Sequence, residues 1–240
     1  DVQESDIPAG VLAQLQAQQG GAVTTQAPAL ADAEQQARAA IAAEAADQNR
    51  PLLNEVLAQP DVAGGILAAL DRLVGVTVNG SREGSLPVFA FFDPRCPYCH
   101  AAFRDLEGEV SVRWIPTLAL GPGGEGIMAS ILGDVEAQRD ESGAVAAVTL
   151  TPDESRVERL SRQLRGEDVA VTTTTLTAGQ EFAVQENMQV MRQLYGSQSS
   201  ILGVPTFIVP QVDGTAIMLR GYDAANVAEI IRVTPTREEG

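Results

Sequence analysis

Cys96-Pro97-Tyr98-Cys99 constrains this chain more than any other stretch. These are the only two cysteines in 240 residues, and two residues separate them. They follow an apolar, strand-like run, Leu86-Pro87-Val88-Phe89-Ala90-Phe91-Phe92. They precede a helical pattern in which Cys99, Ala102, Phe103 and Leu106 share one face. The pair therefore stands at a strand-to-helix junction. Dithiol–disulfide exchange needs one thiol exposed and acidic enough to attack, and a second near enough to resolve the mixed disulfide.

The flanking residues suit that chemistry. Cys96 falls at the amino end of a helix starting at Pro97, where the helix dipole and free N–H groups stabilise an anion. Pro97 fits the first helical turn, where no N–H is needed. Cys99, one turn in, lies on the buried face. Arg95 is placed to add positive charge beside the Cys96 sulfur. His100, the only histidine, either donates toward the sulfur or is solvated. Asp93 either helps proton transfer to Cys99 or forms the turn. Two other readings of the cysteines stay open. One is half a zinc site, which wants four ligands; with Cys96, Cys99 and His100 as the soft candidates, carboxylates or a second subunit would have to complete it. The other is a local disulfide without chemistry.

Sixteen basic residues against 32 acidic ones give a net charge of −16. That disfavours nucleic acid and anionic membrane surfaces as partners. No apolar run approaches the roughly 20 residues that span a bilayer. From Asp1 onward no basic region with an apolar run behind it reads as a signal peptide. One vicinal cysteine pair is not a disulfide framework, so the compartment has to be read from the motif.

Along the chain, residues 1–29 read as a flexible arm. Residues 30–75 are helical and form either an oligomerisation segment or helices lying on the main domain. Within them Pro60-Asp61 opens a helix carrying Ile66, Leu67, Leu70, Leu73 and Val74. The catalytic domain spans 76–240. Strands are expected at Val76–Val78, Val88–Phe92 and Val110–Leu120, the last two forming a parallel pair. An insertion over about 121–178 reads as helical. In it Ile127, Met128, Ile131, Leu132 and Val135 are helix-spaced, and Thr151-Pro152-Asp153-Glu154 reads as a capping box before Val157, Leu160 and Leu164. Thr177 to Gln180 is a second capping box. A hairpin follows, with Phe207–Val209 and Ala216–Leu219 about a turn at Asp213-Gly214. Asp223 caps the final helix. Strand, helix, strand, insertion, helix, strand, strand, helix is the α/β order of a thioredoxin fold. Val204-Pro205, just before a strand, is a place where a cis peptide can occur.

Phe92-Asp93-Pro94-Arg95-Cys96-Pro97-Tyr98-Cys99-His100, together with Gly203-Val204-Pro205-Thr206-Phe207, resembles the DsbC/DsbG type of bacterial periplasmic thiol–disulfide interchange protein. The likeness is closest to the DsbG branch and covers residues 76–233. It implies a thioredoxin fold with a helical insertion, Cys96 as attacking and Cys99 as resolving cysteine, and Pro205 as a cis-proline facing them. It implies substrate contact at Val204 and Pro205, and Tyr98 and Pro97 as active-site support. No cofactor beyond a redox-active Cys96–Cys99 disulfide and no metal is implied. The implied partners are unfolded or misoxidised secreted proteins and a membrane thiol reductase of the DsbD type, in the periplasm, with homo-oligomers formed through residues 30–74. Val204 departs from the Thr usual at that place in the family and is more like the oxidase DsbA. Residues 1–74 depart from the family's strand-rich dimerisation domain and are more similar to the helical arms of oligomeric proteins such as ScsC. The activities in view are thus an isomerase or reductase, a dithiol oxidase, and a holdase or assembly factor that does not use its cysteines.

Overall fold

A computed structural model describes residues 54–82, 86–167, 170, 171, 173–196 and 202–234. The flexible arm and the first part of the oligomerisation segment, residues 1–53, lie outside the described residues. The elements run α1 (Pro60–Arg72), β1 (Val76–Val78), β2 (Val88–Phe92), α2 (Pro97–Leu106), β3 (Val112–Pro116), α3 (Glu125–Leu132), β4 (Val135–Arg139), β5 (Val145–Leu150), α4 (Ser155–Arg165), α5 (Ala178–Tyr195), β6 (Thr206–Pro210), β7 (Ala216–Arg220) and α6 (Ala224–Val233).

Five strands make one sheet in the order β1-β3-β2-β6-β7. β2 and β3 are parallel, with Ala90 opposite Trp114. β1, β6 and β7 are each antiparallel to their neighbours. A βαβ unit followed by a ββα unit around a central strand is the thioredoxin arrangement. β2 is buried along its whole length, as its unbroken apolar run requires of a strand covered on both faces. Its side chains alternate between two cores. Ala90 and Phe92 join Trp114, Phe103, Phe207, Val227 and Ile230 under α2 and α6. Phe89 and Phe91 join Ile115, Ile208 and Met218 under α1 and the end of α5. Trp114 anchors the first core, meeting Phe92 edge-on with ring centroids 5.7 Å apart and Phe103 at 5.4 Å.

Pro60 stands in the first turn of α1. The helix buries Ala63, Leu67 and Leu70, which pack with Phe89, Phe91 and Ile208. Just before it, the Asn54 side-chain oxygen accepts the Met218 N–H of edge strand β7 at 2.9 Å. Residues 54–74 therefore lie on the main domain, and that domain begins before Val76. Buried Asn187 of α5 fixes the exit from α1, donating to the carbonyls of Val74 and Pro116, each at 2.9 Å.

The insertion differs from the all-helical expectation. Between α3 and α4 it forms an antiparallel hairpin of β4 and β5. Val135, expected on the helix, is the first residue of β4. The turn is closed by Asp140, whose Oδ1 accepts the N–H groups of Ser142 and Ala144, and by Gly143 at φ +84°, a conformation glycine adopts without a Cβ penalty. The Thr151 capping box does not form either. The Thr151 hydroxyl donates to the Asp134 carbonyl, and Asp153 Oδ1 accepts the Ser155 N–H. Leu160 and Leu164 are buried, while Val157 faces solvent. At Thr177 the box is complete: the hydroxyl accepts from Gln180 N–H, and the Gln180 side chain accepts the Thr177 N–H. β3 is shorter than expected, ending at Pro116.

If α1 is part of the core, Leu70→Ala should cost about 2–5 kcal/mol. Urea unfolding followed by Trp114 fluorescence is expected to show a clearly lowered midpoint. A helix that only joined subunits would leave that transition where it was.

Candidate active site

The site is built by the end of β2 and the start of α2. Cys96 is the N-cap of α2 with Pro97 in the first turn. Helices leave their first N–H groups without intrahelical partners, and here the Cys96 sulfur accepts the Cys99 N–H at 3.4 Å. Both cysteines are thiols in this structure. Cys96 keeps a narrow opening at 3 % exposure, and Cys99 is closed off at 0 %.

The two sulfurs have opposite acidities. Hydrogen bonding from the Cys99 side chain, helped by the Cys99 and Tyr98 N–H groups, lowers the Cys96 thiol from 9.0 to about 7, against burial and the Asp93 charge. The Cys99 thiol is pushed far up, first by burial and then by its hydrogen bond to Cys96 and the charge there. Burial and donated hydrogen bonds act on a thiol in opposite directions, and one turn of helix separates the two outcomes.

Asp93 is fully buried. Its Oδ1 accepts from the Arg95 N–H at 3.0 Å and Arg95 Nε at 3.1 Å. Its Oδ2 accepts from Arg95 Nη2 at 3.1 Å and the Leu120 N–H at 3.0 Å. Four donors thus hold it in the turn. Arg95 also donates to the carbonyls of Pro122 at 2.7 Å and Gly121 at 2.5 Å. A Cβ on Gly124 would stand 2.9 Å from Arg95 Nε, so the loop lies close over the guanidinium. The Arg95 donors go to Asp93 and the loop rather than to the Cys96 sulfur.

His100 also differs from both of its expected roles. Its Nε2–H donates to the Pro94 carbonyl at 2.8 Å rather than to sulfur. The same carbonyl accepts Gln163 Nε2 of α4 at 3.2 Å. Gln163 was invisible to sequence reasoning, being one polar residue on a polar helix far along the chain. Tyr98 projects into solvent at 61 % exposure.

Across from the dithiol turn lies the loop before β6. The Cys96 S–H donates to the Val204 carbonyl at 3.3 Å, and the Val204–Pro205 bond is cis. Cys96, Cys99, Val204 and the Asp93–Arg95 pair are thus brought together, with His100 one bond behind them. Among the described residues no group of three or more His, Cys, Asp or Glu could hold a metal ion, and no helix is long and apolar enough to cross a membrane.

A solved disulfide interchange protein is similar to this chain. It comes from Neisseria gonorrhoeae and is 21 % identical, with the match covering 70 % of this chain and 99 % of that one at a TM-score of 0.41. No protein-family model matches the sequence, and no curated protein does.

Because the Cys99 side chain is the largest cause of Cys96 acidity, Cys99→Ala should move the Cys96 midpoint upward from about 7 toward 9.0. Each unit of upward shift costs about tenfold in thiolate at a fixed pH below the midpoint. Alkylation of the single remaining thiol by iodoacetamide across pH 5–10 reads it. An unchanged midpoint would mean that the helix N–H groups alone set the acidity.

Proposed function

We propose that the protein is a thiol–disulfide oxidoreductase that acts on wrongly paired disulfides of protein substrates. The observation that carries this reading is the asymmetry of the dithiol: Cys96 caps α2 and accepts the Cys99 N–H, which favours its anion, while Cys99 is closed off from solvent, which keeps it protonated. At neutral pH a large fraction of Cys96 is thiolate, the nucleophilic form. Its sulfur attacks one sulfur of a client disulfide, the client S–S bond breaks, and the other client sulfur leaves as thiolate. In isomerisation a client thiolate then attacks the mixed disulfide, a new client S–S bond forms, and Cys96 leaves as thiolate with no net redox change. In reduction Cys99 gives up its proton and attacks Cys96, releasing the client dithiol and leaving the Cys96–Cys99 disulfide. A protonated Cys99 delays that second route and gives the client time to rearrange.

Repeated reduction needs a source of electrons, for which we propose a membrane thiol reductase of the DsbD type, in the periplasm. Oligomers formed through residues 30–74 would keep the dithiol away from a membrane oxidase. Val204 favours a second reading, a DsbA-like dithiol oxidase on the same frame.

The test is reactivation of scrambled ribonuclease by the intact protein beside Cys96→Ala. Reactivation that disappears in Cys96→Ala supports the isomerase. Absent reactivation with rapid oxidation of reduced ribonuclease transfers the assignment to the oxidase. Loss of both, with client aggregation still suppressed by Cys96→Ala, would leave a holdase and overturn the enzymatic reading. Isomerase activity is expected to fall steeply below pH 7, as the Cys96 thiolate is protonated.

A further inference from the structure

Cys96 Sγ stands 3.3 Å from the Val204 carbonyl oxygen. A thiol donates to that oxygen; a thiolate has no proton to give and meets its negative end. A hydrogen bond made only by the neutral form of an acid disfavours ionisation. The position of this one carbonyl therefore opposes the helix N–H groups that favour the anion.

Beside the Val204 loop stands the last residue of α5. Tyr195 is 3 % exposed. Its hydroxyl accepts the Gly203 N–H at 3.2 Å and lies 2.8 Å from Thr206 Oγ1. The Thr206 hydroxyl donates to the Gly203 carbonyl at 2.6 Å. The Tyr195 hydroxyl also lies 3.1 Å from the Gly203 carbonyl, so its one proton has two acceptors in reach, that carbonyl and Thr206 Oγ1. The Tyr195 hydroxyl thus meets Gly203 at both its N–H and its carbonyl, and Thr206 joins the two at the same carbonyl. This bracket grips the backbone on both sides of Val204. The Tyr195 ring is itself seated against the Arg220 guanidinium, 4.4 Å from its centroid.

We propose that Tyr195 is a positioning residue for the reacting sulfur: through Gly203 and Thr206 it holds the Val204 carbonyl against Cys96 and so restrains ionisation of that thiol. The purpose of this restraint rests on the oxidoreductase reading, but its test does not. The charged and titratable groups around Cys96 are Asp93 with its partner Arg95, from the end of β2, and Cys99 and His100, from α2. None lies on the loop that Tyr195 holds, so variants of the bracket leave them in place.

The experiment is a pH titration of thiolate absorbance at 240 nm in the reduced full chain, which involves no client and no turnover. Tyr195→Phe keeps the ring over Arg220 and deletes the hydroxyl. Thr206→Val removes the Thr206 half of the bracket and leaves Tyr195 on Gly203, and Thr206→Ser keeps both halves. Both breaking variants should titrate at lower pH than the parent, with roughly two- to tenfold more thiolate at a fixed pH below the midpoint, the worth of one neutral hydrogen bond. Thr206→Ser should titrate with the parent. A folded Tyr195→Phe with the parental midpoint overturns the proposal, however much its melting temperature falls. Should Tyr195→Phe not fold, Thr206→Val decides by the same criterion. A shift in Thr206→Ser as large as that in Thr206→Val also overturns it. Scrambled ribonuclease, assayed separately, can fail without touching this result.

Discussion

An N–H at the first turn of a helix has no carbonyl behind it and must find another acceptor. At the start of α2 that acceptor is the Cys96 sulfur, which takes the Cys99 N–H. Most of the local architecture serves this one contact. Proline at the next position removes a donor that would otherwise need a partner. β2, buried throughout, fixes the point where the chain turns. Cys99 goes under the helix with Ala102, Phe103 and Leu106 because its spacing puts it on their face. The chemical difference between two identical thiols is thus a consequence of helix geometry: one caps, the other packs.

A good deal of this was legible in the sequence. The apolar run of β2, the dithiol at its end and the stripe of α2 each obey one strong local rule, and local rules survive folding. So do the Thr177–Gln180 box and the Asp213-Gly214 turn. The β4–β5 hairpin was hidden because its strands are rich in Ala and charge and pack only one side on α5, while Val135 continues the helical spacing of Ile131 and Leu132. Thr151 looked like a cap because the pattern fits, but Asp153 is nearer to the orphan N–H groups and accepts more strongly.

The directions of Arg95 and His100 were beyond the sequence for a different reason. A cation beside a sulfur suggests attraction, yet a buried carboxylate two residues back is the stronger claim on a guanidinium. Asp93 could not stay buried without those donors. The ring of His100 answers a similar demand from the Pro94 carbonyl, which neither the motif nor its spacing announces. Long-range partners such as Gln163 and Tyr195 belong to the topology, which brings the ends of α4 and α5 to the two sides of the dithiol turn.

The Asp93–Arg95 clamp also says something about how such a domain can be rearranged. The insertion looks like an ornament that could be spliced out to leave a minimal thioredoxin. Yet the carbonyls that receive Arg95, those of Gly121 and Pro122, are its first two residues, and Gln163 reaches back from within it to Pro94. Excision would strip the guanidinium of two acceptors and the turn of one donor in a single cut. The insertion has become structural collateral for the dithiol, tied to it at its doorway and again from α4.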